Sequence, residues 1–142
     1  MPKIDRTLAL IACLAAGCTH SDFDVAPVEG VLTIKGKPGH KINLQFVPDV
    51  DQGAKGPPSF AQTDAEGKFT LQLQSVGSNA TESKPGAVVG WHRVVLSDLQ
   101  LAESATGRGV PIRLDSTYTL PGSTPLRQEV KPGANAITLE IP

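Results

Sequence analysis

The chain has 142 residues, room for one domain. Hydrophobic residues make up 39% and charged residues 19%, a globular balance that sets it apart from disordered chains. The formal net charge is -1, so it lacks the excess of Lys and Arg with which a general nucleic-acid binder displaces counterions.

The first residues carry Lys3 and Arg6 against Asp5. An apolar run from Leu8 to Ala16 follows, and then Gly17-Cys18. A basic start, a short apolar stretch and a small-residue exit predict a secretory signal over residues 1–17. The run is about half of the ~20 residues that a membrane-spanning helix needs, so it is not read as a span. Cys13 and Cys18 are the only cysteines. The domain that follows therefore has no internal disulfide, thiolate metal site or catalytic cysteine. Residues 18–27 are polar and acidic and end in Ala26-Pro27, which predicts a tether holding a domain off a membrane surface.

From Val28 onward the period is two. Val28, Gly30, Leu32 and Ile34 fall on one face of a strand, with Glu29, Val31 and Thr33 on the other. Gly36-Lys37-Pro38-Gly39 predicts a turn. Ile42, Leu44 and Phe46 then alternate with polar neighbours until Pro48. Thr63-Asp64-Ala65-Glu66-Gly67 reads as a hairpin turn with Gly67 in the left-handed position. Phe69, Leu71 and Leu73 form the next buried face, and His92, Val94 and Leu96 the one after. Asp98 to Ser104 is the best helical candidate, but it is only about two turns and too weakly patterned to stand alone. The whole segment 98–109 is therefore read as a connection, the place where a partner-facing surface would sit if there is one. Lys131-Pro132-Gly133-Ala134-Asn135 predicts another tight connection before Ile137, Leu139 and Ile141. Alternation bounded by Gly and Pro predicts about seven strands over residues 28–142, an all-β, two-layer antiparallel β-sandwich. Leu44, Phe46, Phe69, Leu71, Val94, Leu96, Leu139 and Ile141 are its expected core.

The stretch Leu14-Ala15-Ala16-Gly17-Cys18 resembles the lipobox of bacterial lipoproteins, in which the peptide is cut before a cysteine whose thiol carries a diacylglycerol. The resemblance implies that Cys18 is the lipid attachment site. Ala15 stands where the family usually has leucine, and Leu14 lies one position further back. A competing box, Leu10-Ile11-Ala12-Cys13, leaves too short an apolar run before it, and plain secretion is the other alternative. Thr19 follows Cys18 in place of the aspartate that retains such proteins at the inner membrane, which points toward the outer membrane of the cell envelope, facing the periplasm or the exterior.

The mature part is similar to carboxypeptidase regulatory-like domains. Val28 to Pro38 resembles their opening strand and turn. Thr63-Asp64-Ala65-Glu66-Gly67-Lys68-Phe69 resembles their hairpin, and Gly90-Trp91-His92-Arg93-Val94 a later strand. Thr124-Pro125-Leu126 through Val130-Lys131-Pro132-Gly133 resembles small bacterial lipoproteins built on that domain. The resemblance implies a transthyretin-like (prealbumin-like) sandwich without catalytic residues. Relatives that are enzymes use sites this chain cannot build. Intradiol dioxygenases bind iron through two tyrosines and two histidines, whereas Tyr118 is the single tyrosine here. Hydroxyisourate hydrolase ends in Tyr-Arg-Gly-Ser, whereas this chain ends Leu139-Glu140-Ile141-Pro142.

The remaining chemistry is sparse. His20 lies in the tether, His40 in a turn and His92 on an inward face, with no short ligand spacing among them. Asp64 and Glu66, with Asp49 and Asp51, share elements of a calcium loop, but its twelve-residue pattern and closing glutamate are missing. Asp64 is read instead as hydrogen-bonding its own turn. Phe46, Phe60 and Phe69 are needed for a core, and Trp91 points away from it. No catalytic, cofactor-binding or metal residue is assigned. The expected function is a non-enzymatic, membrane-anchored envelope protein acting as a spacer or interaction module, with an envelope protein or a glycan such as peptidoglycan as partner and no nucleic acid. A glycan-binding module is the alternative, and a hydrolase or metalloenzyme a more distant one.

Overall fold

The computed structural model describes residues 23–74, 83–104, 106 and 108–142. The expected signal, Cys18 and His20 lie outside them. Among the described residues the strands are β1 (Val25–Ala26), β2 (Val28–Ile34), β3 (Lys37–Pro38), β4 (Ile42–Pro48), β5 (Ser59–Gln62), β6 (Lys68–Thr70), β7 (Gln72–Leu73), β8 (Lys84–Pro85), β9 (Ala87–Val88), β10 (Gly90–Asp98), β11 (Arg127–Val130) and β12 (Asn135–Ile141). Seven of them have three residues or more, and the other five are two-residue pairings. One α-helix lies among the described residues, α1 (Leu99–Glu103).

Two sheets form the layers of an all-β sandwich. The larger runs β11-β10-β4-β5-β7-β8, and the smaller joins β12, β2 and β3, with β6 also on β2. The alternation explains the layers. In β4, Ile42, Leu44, Phe46 and Pro48 are buried while the intervening residues are half exposed. All eight of the expected core residues are buried, and Phe46 and Phe69 meet across the sandwich with ring centroids 6.4 Å apart. Each such side chain contributes about 1.5–3 kcal/mol by leaving water.

Turn chemistry sets the registers. Lys35 (φ 52°) and Gly36 (φ 78°) make a two-residue left-handed turn between β2 and β3, one position earlier than the sequence predicts. Asp64 Oδ1 accepts the backbone N–H groups of Glu66 and Lys68, each at 2.9 Å, as expected for a turn that satisfies itself. Gly67 sits at φ 78°, and a Cβ there would lie 2.4 Å from the carbonyl oxygen of Leu32.

Four features differ from the sequence expectation. First, the sandwich is not purely antiparallel: β12 pairs with β2 in parallel, from Asn135 opposite Val28 to Ile141 opposite Ile34. The chain must therefore cross from one sheet to the other between β11 and β12. Asn135 fixes that crossing, its side chain accepting from Lys131 N at 2.9 Å and donating to Lys131 O at 2.8 Å and Gly133 O at 3.0 Å. Second, the tether ends before Pro27. β1 pairs with β9, and Ala26 is part of the buried core, so the last tether residues belong to the folded unit. Third, alternation fails in β10, where Val94, Val95 and Leu96 are all buried. A 3-10 turn at Ser116–Thr119 packs over the outer face of β10 and covers it. Fourth, the segment 98–109 opens with the helix α1, capped by Asp98, whose side chain accepts from the N–H of Gln100.

Candidate functional site

Strand parity separates the two neighbours Trp91 and His92. His92 points inward and is fully buried, its ring 5.8 Å from that of Phe46. Nδ1 lies 3.0 Å from the carbonyl oxygen of Gly90, and Nε2 has no hydrogen-bond partner. Burial pushes the imidazole below its ordinary value, against the opposing pull of the Gly90 carbonyl. The imidazole is thus held in the core against Phe46 in its neutral form. Ser59 Oγ is likewise buried without a partner.

Trp91 points outward, 41% exposed, beside a cluster of charges the sequence did not reveal. Asp49 follows β4 and is 3% exposed. Its carboxylate lies 3.2 Å from Arg93 Nε and 3.7 Å from Arg127 Nε, and Arg93 Nη2 reaches Asp51 at 2.6 Å. Arg127 Nη1 also donates to Thr124 O at 2.6 Å. A buried carboxylate is tolerable only when paired and hydrogen-bonded. The guanidinium groups of Arg93 and Arg127 supply that pairing and brace β4, β10 and β11 together. The carboxylates of Asp49 and Asp51 are thus engaged by arginines, and that of Asp64 by backbone N–H groups. Phe60 is half-buried on the same outer face as Trp91. The two are about 16 Å apart by strand spacing, too far for one stacking platform.

The opposite end of the sandwich carries a second cluster. Arg113 makes two hydrogen bonds to the Asp98 carboxylate, at 2.8 and 2.7 Å, which clasps the two ends of the connection between them. Burial raises the Asp98 carboxyl, but the Arg113 guanidinium and backbone donors outweigh it and hold it below the ordinary value. Leu99 N–H donates to Lys41 O at 3.0 Å, Lys41 Nζ meets Glu103 at 3.0 Å, and the Gln100 side-chain nitrogen lies 2.8 Å from His40 Nε2. A cavity of about 260 Å³ lies between α1 and the returning chain, lined in part by Leu101, Ile112 and Leu114. Leu101 and Ile112 are exposed there.

A third feature is a groove of about 770 Å³ over the outer face of β2, β6 and β12, lined in part by Glu29, Gln62, Lys68, Thr70 and Thr138. Its described lining contains no histidine, serine or cysteine. Among the described residues no three His, Cys, Asp or Glu side chains gather to hold a metal ion, and no helix is long and apolar enough to cross a membrane. Comparison with protein-family models, curated proteins and solved structures finds no match to this chain.

Proposed function

We propose that this chain is a lipid-anchored protein of the bacterial cell envelope whose carboxypeptidase regulatory-like β-sandwich serves, without catalysis, as a spacer or interaction module. The observation that carries the reading is the sequence Leu14-Ala15-Ala16-Gly17-Cys18 behind a basic start and a short apolar run. The fold agrees with it. The chain enters the sandwich at one end through β1, seven residues after Cys18, and the ion pairs of Arg93, Arg127 and Arg113 tie neighbouring segments together. Mass spectrometry of the detergent-extracted protein tests the reading. An acylated N-terminal peptide beginning at Cys18 is expected, and Cys18→Ser should release the domain or leave the signal uncut. A soluble mature protein with a free thiol would overturn it.

A second reading, a glycan-binding module, is favoured by the open groove of mixed polar and apolar lining across β2, β6 and β12. Titration with peptidoglycan fragments should then shift the amide resonances of Glu29, Thr70 and Thr138. Unshifted resonances at saturating fragment would dismiss it.

A further inference from the structure

We infer that the sandwich docks end-on against an anionic lipid surface, the bilayer that carries its own anchor, through the end formed by β1, the β4–β5 connection and the turn after β11. The inference rests on the anchor at Cys18 and adds to it a docking surface and an orientation.

Chain length imposes proximity. Phe23, the fifth residue after Cys18, already lies against the fold, 3.2 Å from where a Cβ on Gly56 would be. Five residues reach roughly 17 Å when fully extended. The end of the sandwich that holds Phe23 and Gly56 therefore cannot leave the neighbourhood of the headgroups.

That end has the composition of an interfacial surface. Val25 and Val50 are exposed there, Val50 at 75%, and the exposed Trp91 sits beside Val50, since the N–H of Asp49 donates to Trp91 O at 2.8 Å. Exposed tryptophan with an apolar body and one polar N–H is the side chain that settles at a membrane–water boundary. Lys55, Lys84 and Lys131 lie on or beside the connections at this end, and none forms an ion pair among the described residues. Asp24, Glu29 and Glu129 are the opposing charges nearby, while Asp49 and Asp51 are occupied by Arg93 and Arg127. Free lysines at headgroup level are attracted to anionic lipid, and the attraction fades beyond a Debye length of about 8–10 Å. The tether keeps the end close enough for that attraction to act. The opposite end, with Leu101 and Ile112, stands away by the length of the seven-residue strands β2 and β12, roughly 23 Å.

Trp91 is the only tryptophan, so it reports the orientation directly. Full-length acylated protein would be reconstituted into vesicles of phosphatidylglycerol and phosphatidylcholine, with bromine placed on the acyl chains near the headgroups, and acylation confirmed by mass on the same sample. Trp91 fluorescence should be quenched. Quenching should fall by about twofold or more in vesicles of phosphatidylcholine alone and in Lys55→Glu/Lys84→Glu/Lys131→Glu, surface changes that leave the fold intact. Ile112→Trp in a Trp91→Phe background should not be quenched. Unacylated protein would refute the anchor itself. Acylated protein whose Trp91 is unquenched, or quenched equally with and without anionic lipid, would overturn the docking surface. Equal quenching at position 112 would overturn the end-on orientation.

Discussion

Replacing His92 with phenylalanine should leave the protein as stable as before or make it more so, and should flatten its acid sensitivity. The imidazole is fully buried, with Nε2 unpartnered and Nδ1 3.0 Å from Gly90 O. An orphaned buried polar atom costs about 1–3 kcal/mol, whereas the hydrogen bond to Gly90 contributes about 1 kcal/mol. Phenylalanine keeps a ring of similar size against Phe46, so the net effect near neutral pH is a gain of about 0–2 kcal/mol. The pH dependence follows from the direction of the shift. The folded protein binds the His92 proton less readily than the unfolded chain does, because burial lowers the imidazole from its ordinary 6.5. Stability is thus complete above that value and falls as the pH drops below it, by at most about 1.4 kcal/mol per pH unit until the folded group also titrates. Urea unfolding followed by Trp91 fluorescence, on both proteins at neutral and at mildly acidic pH, measures both effects. The gap between variant and parent should widen in acid. Curves that stay parallel, or a variant less stable by more than about 2 kcal/mol at neutral pH, would show that Nε2 has a partner and that the buried-orphan reasoning is wrong.

Phe69→Ala should destabilise by about 3–5 kcal/mol in the same assay, since the ring fills core space against Phe46. Gly30→Ala should cost about 1–3 kcal/mol, because the new Cβ would stand 2.3 Å from Ile137 O and 2.6 Å from the Phe69 ring; a neutral result would mean β2 and β12 are further apart than described. Asp98→Asn should lower stability by about 2–3 kcal/mol by leaving Arg113 unpaired. The contribution of Asp98 is present above its ordinary value near 3.8 and is lost as the pH falls through its depressed folded value, so parent and variant should converge in strong acid. Deleting Gln100 to Gly107 and joining the ends with two glycines should change thermal stability only slightly, because the Asp98–Arg113 clasp stays; loss of cooperative folding would instead show that α1 is needed to hold this end.

The layers were legible because a period of two decides which side chains face inward. Phe69, Leu71, His92 and Val94 all land where alternation puts them. Direction of pairing was not legible. Ile137, Leu139 and Ile141 alternate equally well in a parallel or an antiparallel ladder, so nothing in β12 announces that it lies parallel to β2. β1 was hidden for a different reason: two residues are too few to show a period, and Val25-Ala26 differs from a tether only because β9 passes beside it. The charge cluster was hidden by distance along the chain. Asp49 meets Arg93 and Arg127 only after β4, β10 and β11 have been placed side by side, and no local pattern signals that meeting. Val95 shows the limit of alternation itself, since a side chain on the outer face becomes buried when a later segment folds over it. Cys18, the residue on which the functional reading depends, was legible as a motif and lies outside the described residues.

The two ends of the sandwich are held by different means, and the difference fits a module displayed from a membrane. At the end that holds β1 the brace is a buried carboxylate, Asp49, shared by two arginines from neighbouring strands. Removing Asp49 takes the carboxylate from Arg127 and leaves Arg93 with Asp51 alone, so that position tolerates little change. At the far end the Asp98–Arg113 pair closes the base of a connection whose other contacts, Lys41 with Glu103 and Gln100 with His40, are exposed. Exposed pairs contribute little to stability, so the residues between Asp98 and Arg113 can vary without unfolding the domain. The clasp nevertheless fixes where that connection starts and ends, which keeps Leu101 and Ile112 on a surface of constant shape. A rigid base with a variable crown is the arrangement in which binding residues usually sit on a scaffold. On the proposed orientation the crown is also the part of the molecule farthest from the bilayer. The residues between Asp98 and Arg113 are thus placed, on that orientation, to meet something other than the membrane.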